Sequence, residues 1–414
     1  MYCALLGIQL DATMDYITCI VTNRQEDTML DFNFYNPTQL VFGANRLAEL
    51  DQHVPVDAKV MITYGGQSAK KFGTIDRVRE ALPGREIIEF SGIEANPRYE
   101  TLIKAADLAK QENIDFLLAV GGGSVMDGTK FIAIAAKTNQ DEYEALLGHG
   151  FEPVPAPEVI PLGCIVTLPA TGSEANAFGV VSKGQHKIPF MSPLVYPQFS
   201  FLDPELTKTL PQKQVANGVT DAFVHVVEYY MTYPVNAKVQ DRIAEGVLQT
   251  LIEDGPVTYE NNEDIEARKN FIWSATTALN GSIAAGTPGD FATHMIGHEI
   301  TALFGVDHGR TLAIVLPSYW RERKDKKRDK LLQFAERVWH IQDGTEDERI
   351  DLAIDKTEAF FNSLGVETKL SQYGITEDGI DKIIDNLEQK GMTALSETGD
   401  LTLDIVRKIL VAAS

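Results

Sequence analysis

Basic residues are in short supply. Lys and Arg together number 37 against 59 Asp and Glu, a formal charge of -22. So acidic a surface repels phosphate backbones and anionic lipid, which argues against nucleic acid and membrane surfaces as partners. An anionic ligand would need a local exception built from glycine amides and a few lysines. Cysteine is scarcer still: Cys3, Cys19 and Cys164, with no C-x-x-C pair. That argues against a disulfide framework or a zinc ribbon and fits a reducing, cytoplasmic compartment. No apolar run approaches the roughly 18–20 residues a membrane span needs. Tyr2 to Leu10 is apolar, but no basic segment precedes it and Asp11 and Asp15 follow, which makes a poor secretory signal.

What is present suffices for two domains. The chain has 414 residues, 44% of them hydrophobic, as in an ordinary soluble protein. Residues 1–28 read as a non-native or upstream extension, with an extra strand or helix as the alternative. Met29-Leu30-Asp31-Phe32 reads as the start of the folded part. From Lys59, short apolar runs alternate with amphipathic stretches. Val60–Tyr64, Glu86–Phe90, Phe116–Val120 and Ile165–Thr167 read as strands, and helices are expected over 68–82 and 97–113. A hairpin fits within 180–201. Strand, helix, strand is the pattern of a parallel sheet with helices on its faces.

After Pro204 the pattern becomes helical, with amphipathic segments over 213–231, 239–253, 265–279, 291–304 and 328–341. The mixed charge run from Arg321 to Lys330 reads as a solvated helix start. These signals place an α/β domain at 29–205 and a helical domain at 206–414.

Two kinds of chemistry stand out. Gly121-Gly122-Gly123-Ser124, with Asp127 behind it, sits where a strand passes into a helix, whose first-turn amides favour an anion. It is not the G-x-G-x-x-G fingerprint, and tight geometry alone also explains such glycines. Thr167 to Glu174, with Thr171, is a second loop dense in hydroxyls. Gly65-Gly66-Gln67-Ser68-Ala69-Lys70-Lys71 is a third, with no acidic side chain. Amides, Ser68 and two lysines suit a ribose 2′-phosphate, where an NAD site commonly has a carboxylate.

The second kind is metal ligation. Of only eight histidines, His225 follows Asp221 by four residues on one helix, and His298 follows His294 likewise on another. His308 comes next, in the expected turn Val306–Gly309. Spacing of i, i+4 puts both members of a pair on one helix face. Such N/O ligands suit Zn²⁺ or Fe²⁺. Spacing does not choose between His294 and His298. The metalloprotease motif H-E-x-x-H fails, because Ala302 stands at its second histidine.

Taken together, these segments resemble the iron-containing (group III) alcohol dehydrogenase family, from Met29 to the C-terminus. They look closest to its branch of NADPH-dependent, broad-substrate aldehyde reductases and butanol dehydrogenases. The resemblance is carried by Phe34–Gly43, Asn96-Pro97, Gly121–Ser124 with Asp127, the 167–174 loop, Asn217–His225, His294–His298 and His308-Gly309. It implies a Rossmann-like α/β domain, an all-α C-terminal domain and a site in the cleft between them. Mapped onto this sequence, it implies metal ligands Asp221, His225, His294 and His308, with His298 outside that set in a proton-relay role. Implied NADP(H) contacts are Gly65, Gly66 and Ser68 at the ribose phosphate, Gly122, Gly123 and Ser124 at the pyrophosphate, Thr167 and Thr171 near the phosphates and ribose, and Asp127 and Lys187. Gln67 stands where the resemblance would put a glycine, and the chain after Val411 is short for this branch.

The activity so implied is hydride transfer between NADP(H) and a small aldehyde/primary alcohol pair at one divalent metal, Fe²⁺ or Zn²⁺, in a homodimer. A dehydroquinate-synthase-like lyase and a non-enzymatic metal- or nucleotide-binding protein are the rival readings. Steady NADPH consumption with an aldehyde separates them.

Overall fold

The computed structural model describes residues 28–150, 152–156 and 158–414. Cys3, Cys19 and all but the last residue of the expected upstream extension lie outside the described residues. Six parallel strands form the main sheet: β1 (Gln39–Phe42), β2 (Val60–Tyr64), β3 (Ile87–Phe90), β4 (Phe116–Gly122), β5 (Leu162–Leu168) and, after an intervening hairpin, β8 (Phe199–Leu202). The hairpin, β6 (Phe178–Lys183) paired antiparallel with β7 (His186–Met191), falls where one was expected.

The spatial order is β1-β8-β5-β4-β2-β3. From β2 the chain first builds outward to β3, then returns to the other side of β2 for β4. This reversal is a topological switch point, and the crevice beyond the carboxyl ends of β2 and β4 is where open α/β sheets take ligands. Gly65-Gly66 follows β2 there, and Gly121–Gly123 closes β4.

The central strands are apolar on both faces because helices cover both. Leu117 and Ala119 of β4 join one buried cluster, and Phe116, Leu118 and Val120 join the other. This is period-two alternation with no polar face. At about 2 kcal/mol per large buried side chain, these runs suffice to specify a central strand. The helices on the sheet include α3 (Tyr99–Gln111) and α4 (Gly123–Ala135). The single helix expected over 68–82 is instead two, α1 (Ser68–Lys71) and α2 (Thr74–Glu80). Gly73 between them has φ +73°, a left-handed conformation that ends a helical turn.

The second half contains α5 (Gln212–Tyr230), α6 (Lys238–Glu260), α7 (Ile265–Ala278), α8 (Ala292–Phe304), α9 (His308–Glu322), α10 (Arg328–Arg337), α11 (Glu346–Ser363), α12 (Glu377–Gln389) and α13 (Leu403–Ala412). A two-stranded ladder, Ala394–Leu395 with Leu401–Thr402, precedes α13. One cluster of buried side chains spans these helices, with α5 at its centre. Nearly every residue of α5 from Val215 to Tyr230 is buried, as in a helix enclosed on all sides.

The charge run 321–330 is not a solvated helix start. It spans the end of α9 and the start of α10, and Arg323, Lys327 and Lys330 are buried. Lys327 Nζ lies 2.6 Å from Asp290 Oδ2 and 3.2 Å from Glu397 Oε1, and donates to the Met231 carbonyl at 2.7 Å. Acidic partners far away in the chain make burial of that ammonium tolerable. Among the described residues, no helix is long and apolar enough to cross a membrane.

Candidate metal and nucleotide site

Three helices bring the ligand-type residues together. Asp221 and His225 lie one turn apart on α5, His294 and His298 one turn apart on α8, and His308 opens α9. The Val306–Gly309 segment is thus a helix start and not only a turn. Asp221 Oδ1 is the hub: it lies 3.6 Å from His308 Nε2 and 3.8 Å from both His225 Nε2 and His294 Nε2. Asp221, His294 and His308 each place one ligand atom within 4.8 Å of the others. The His225 and His294 rings stack with centroids 4.6 Å apart. His298 stands 4.9 Å from the His308 ring and 6.0 Å from that of His294.

These spacings are too long for hydrogen bonds. Asp221 Oδ1 and His294 Nε2 are buried with no hydrogen-bond partner among the described residues. Buried polar atoms left in this way need another explanation. Bonds of about 2.1–2.2 Å to a tetrahedral cation separate neighbouring ligands by about 3.4–3.6 Å, close to what is seen. The donor set of Asp221, His294 and His308 therefore fits a divalent cation, and His225 lies outside that mutual 4.8 Å group but within 3.8 Å of the shared Asp221 Oδ1. The side chains of Asp221, His225 and His294 are 5–7% exposed and that of His308 is 23%, so the cluster opens on the His308 side.

Ligation needs neutral imidazoles and an anionic carboxylate, and the ionisation of Asp221, His225 and His308 agrees with it, whereas His294 is held protonated by its carboxylate neighbours until a cation displaces the proton. Burial holds His298 and His308 well below the ordinary imidazole range, and His225 at about 4. Burial alone would raise Asp221, but the surrounding imidazoles outweigh it and hold the carboxyl low. Burial would also lower His294, yet the carboxylates of Glu228 and Asp221 lift it to about 9.

Glu228 is a member of this site that sequence reasoning missed. Its Oε1 accepts the His294 backbone N–H at 3.0 Å, and its Oε2 is bonded to His294 Nδ1. The one signal for it was its place on the Asp221/His225 face of α5, three residues after His225.

The glycine loops lie at the carboxyl ends of β2 and β4. Those of β4 fit closely against protein: a β-carbon on Gly121 would strike Val125, one on Gly122 would stand 3.0 Å from Leu168, and one on Gly123 would strike Thr171. Tight geometry thus accounts for all three. A β-carbon on Gly66, by contrast, would meet nothing within 4 Å, so the β2 loop is open to a ligand. Ser68 begins the short helix after it. Ser124 Oγ accepts the Asn96 N–H at 3.2 Å. Both carboxylate oxygens of Asp127 are occupied, by Ser173 Oγ at 2.6 Å and the Val180 N–H at 3.0 Å. Asp127 thereby ties α4 to the 171–177 loop and to the hairpin. Thr171 Oγ1 accepts the Ser173 N–H, and Thr167 lies near the end of β5.

The β2 loop is less free of acid than its sequence suggests. Glu89, on the neighbouring strand β3, accepts from Tyr64 Oη at 2.9 Å, Lys70 Nζ at 3.3 Å and Arg79 Nη1 at 2.7 Å. Lys187, on β7, is not confined to the nucleotide loops. Burial lowers its ammonium to about 8, against the pull of Asp127, Asp221 and Glu299. The hairpin thus carries a cation into the field of the Asp221 cluster.

A sequence model described as iron-containing alcohol dehydrogenase matches residues 37–204. Its companion, the C-terminal region of the Fe-containing alcohol dehydrogenase family, matches residues 215–413. The chain is 54% identical over 389 residues to the NADPH-dependent aldehyde reductase YqhD of Escherichia coli, covering 93% of this chain and 100% of that one. It is 42% identical over 369 residues to NADP-dependent alcohol dehydrogenase 3 of Entamoeba histolytica, covering 87% and 94%. Among solved structures, the substrate- and cofactor-free aldehyde reductase YqhD superposes with a TM-score of 0.88 at 52% identity, covering 93% of this chain and all of that one. NADH-dependent butanol dehydrogenase A of Thermotoga maritima gives 0.88 at 33% identity, covering 94% and 99%.

Proposed function

The chain belongs to the iron-containing alcohol dehydrogenase family, and from that premise we propose that it interconverts small aldehydes and primary alcohols with NADP(H). The reaction is aldehyde + NADPH + H⁺ ⇌ primary alcohol + NADP⁺. The observation that carries the proposal is the hub of Asp221 Oδ1, without a hydrogen-bond partner among the described residues, buried, and faced by three imidazole nitrogens at 3.6–3.8 Å.

Asp221, His225, His294 and His308 would hold one divalent cation, Fe²⁺ or Zn²⁺. A cation so held supplies Lewis-acid polarisation of a carbonyl oxygen, and reduced nicotinamide supplies the hydride. The chain's own part is placement and proton handling. Gly65, Gly66 and Ser68 offer the open loop for the nucleotide's ribose phosphate. The amides of Gly122, Gly123 and Ser124 at the start of α4 face its pyrophosphate. Thr167 and Thr171 flank that path, and Asp127 holds the loops around it. His298, kept neutral by burial, can accept a proton at one ring nitrogen and release one from the other, which suits a relay to the product oxygen. Lys187 adds positive potential where negative charge develops.

The domain division at 29–205 and 206–414 follows the change from sheet to helices, with the ligand cluster in the helical part. A cytoplasmic homodimer completes the reading. Supporting the dimer, β1 is an edge strand among the described residues, and Phe34 and Tyr35 just before it are 57% and 61% exposed.

The test is nicotinamide absorbance with butanal, NADPH against NADH, beside metal analysis of wild type and His294→Ala. Steady NADPH consumption, lost together with the metal in His294→Ala, is the expected outcome. An active, metal-free variant overturns the ligand assignment. Binding of NADPH with no turnover on any aldehyde overturns the activity.

A further inference from the structure

A carboxylate buried beside a histidine of the cluster has no part in the ligand set. The Glu228 side chain is 2% exposed, and burying it is costly unless both oxygens are satisfied. Both are satisfied by a single residue. Oε1 accepts the backbone N–H of His294 at 3.0 Å, and Oε2 is bonded to His294 Nδ1. A carboxylate can only accept, so Nδ1 must carry the proton. In the neutral ring that a cation requires, the lone pair then resides on Nε2, the atom that faces Asp221 Oδ1 at 3.8 Å and has no hydrogen-bond partner among the described residues.

We infer that Glu228 is a positioning residue that sets the tautomer and orientation of His294, so that Nε2 is offered to a cation. The inference rests on the metal-site reading above. Its support around Glu228 is rigid. The Asp290 N–H donates to the Glu228 carbonyl at 2.8 Å, and the Asp290 side chain is held by Lys327. This fixes the start of α8 against α5, two turns along from Asp221. Imidazole ligands whose second nitrogen donates to a carboxylate are better aimed and more basic, and losing that partner costs about 10–100-fold in metal affinity.

Capping α8 is the merely structural alternative, and Glu228→Gln separates the two. A glutamine has one acceptor oxygen where His294 presents two donors, its backbone N–H and Nδ1–H. If the oxygen keeps the backbone N–H, the amide NH₂ faces Nδ1 and drives the proton to Nε2, which can no longer ligate. The cap survives and the tautomer does not.

The experiment titrates Zn²⁺ into purified wild type and Glu228→Gln in competition with a chromophoric chelator. Thermal melts of both metal-free proteins run alongside. The expected result is a 10–100-fold loss of Zn²⁺ affinity with the metal-free melting temperatures nearly equal. Zn²⁺ affinity within twofold of wild type overturns the inference, as does an affinity loss no greater than the fall in metal-free stability explains. Should the variant not fold, ¹⁵N-histidine spectra of Zn²⁺-loaded wild type decide. Nδ1–H with metal on Nε2 of His294 supports the role, and the opposite arrangement overturns it. Wild type that binds no Zn²⁺ or Fe²⁺ at all would defeat the metal-site reading itself, an outcome distinct from unchanged affinity in Glu228→Gln.

Discussion

Gly218 of α5 lies directly against the main chain of Pro169: a β-carbon there would stand 2.5 Å from the Pro169 carbonyl oxygen. This contact seats the helix bearing Asp221 and His225 on the loop that follows β5. Phe271 of α7 closes the other side, 3.1 Å from the same position. Glycine is therefore the residue that lets the two halves of the site approach.

Gly218→Ala tests that closeness. By helix propensity alone the change would stabilise by about 0.5–1 kcal/mol. A backbone oxygen has little room to yield, and overpacking costs about 1–3 kcal/mol, so net destabilisation is expected. The loop displacement should also lower kcat/KM for NADPH by about tenfold or more, since misplacement by about 1 Å can cost about 100-fold. Thermal melting and steady-state kinetics check both. A variant more stable than wild type would show that the loop has slack.

Lys327 is the second test. Its ammonium is enclosed with Asp290 and Glu397, and Tyr319 Oη donates to the same Asp290 oxygen at 2.5 Å. Lys327→Met leaves two buried carboxylates facing each other without a cation. Removing one partner of a buried ionic group costs about 3–5 kcal/mol, and a loss of that order is expected in urea denaturation. Adding Asp290→Asn should recover part of it, because a neutral amide no longer repels Glu397. No recovery would mean that the pairing with Asp290 is not the source of the loss.

How much of this could be read from the sequence depends on where each partner lies. Asp221 with His225, and His294 with His298, were legible because i, i+4 spacing is a local property of one helix. Their union with His308 rests on the packing of α5, α8 and α9 and was expected from the density of ligand-type residues, while only family resemblance chose His294 over His298. Glu228 was hidden because its function exists only where α5 meets α8. Lys327 was hidden because a run of mixed charges normally faces water, and Asp290 and Glu397 are distant in the chain. The glycines of β4 were legible as a turn, but their neighbours Leu168 and Thr171 come from another strand's loop. The break at Gly73 shows the opposite case: the amphipathic pattern reads as one helix over 68–82, and only the left-handed φ of Gly73 divides it in two.

The pH dependence of stability offers a third test, at Asp400. Hydrogen bonding to Arg323 lowers its carboxyl well below the ordinary range, helped by the hydroxyls of Thr398 and Ser396. A depressed carboxyl stabilises the fold above its unfolded pKa of about 3.9, and that stabilisation is lost as pH falls toward the folded value. Asp400→Asn should therefore melt below wild type at neutral pH. The gap should narrow as pH drops from about 5 to 3. Because the side chain is 37% exposed, the gap should also shrink in high salt. A gap independent of pH would assign the effect to packing instead of charge.

The last prediction concerns cofactor choice at the β2 loop. Glu89 engages Tyr64, Lys70 and Arg79 at once, beside the opening left by Gly66. On the proposal that this opening takes a 2′-phosphate, Lys70 and Glu89 act in opposite directions. Lys70→Ala removes a charge-assisted contact, worth about 1.5 kcal/mol, and should raise KM for NADPH about tenfold while leaving NADH little changed. Glu89→Gln removes the anion that competes for the same lysine, so KM for NADPH should fall, and fall most at low ionic strength. The pair of variants matters more than either alone. A general loosening of the loop would move both substitutions the same way for both cofactors. Opposite shifts confined to NADPH are what a phosphate drawn to Lys70 and opposed by Glu89 would give.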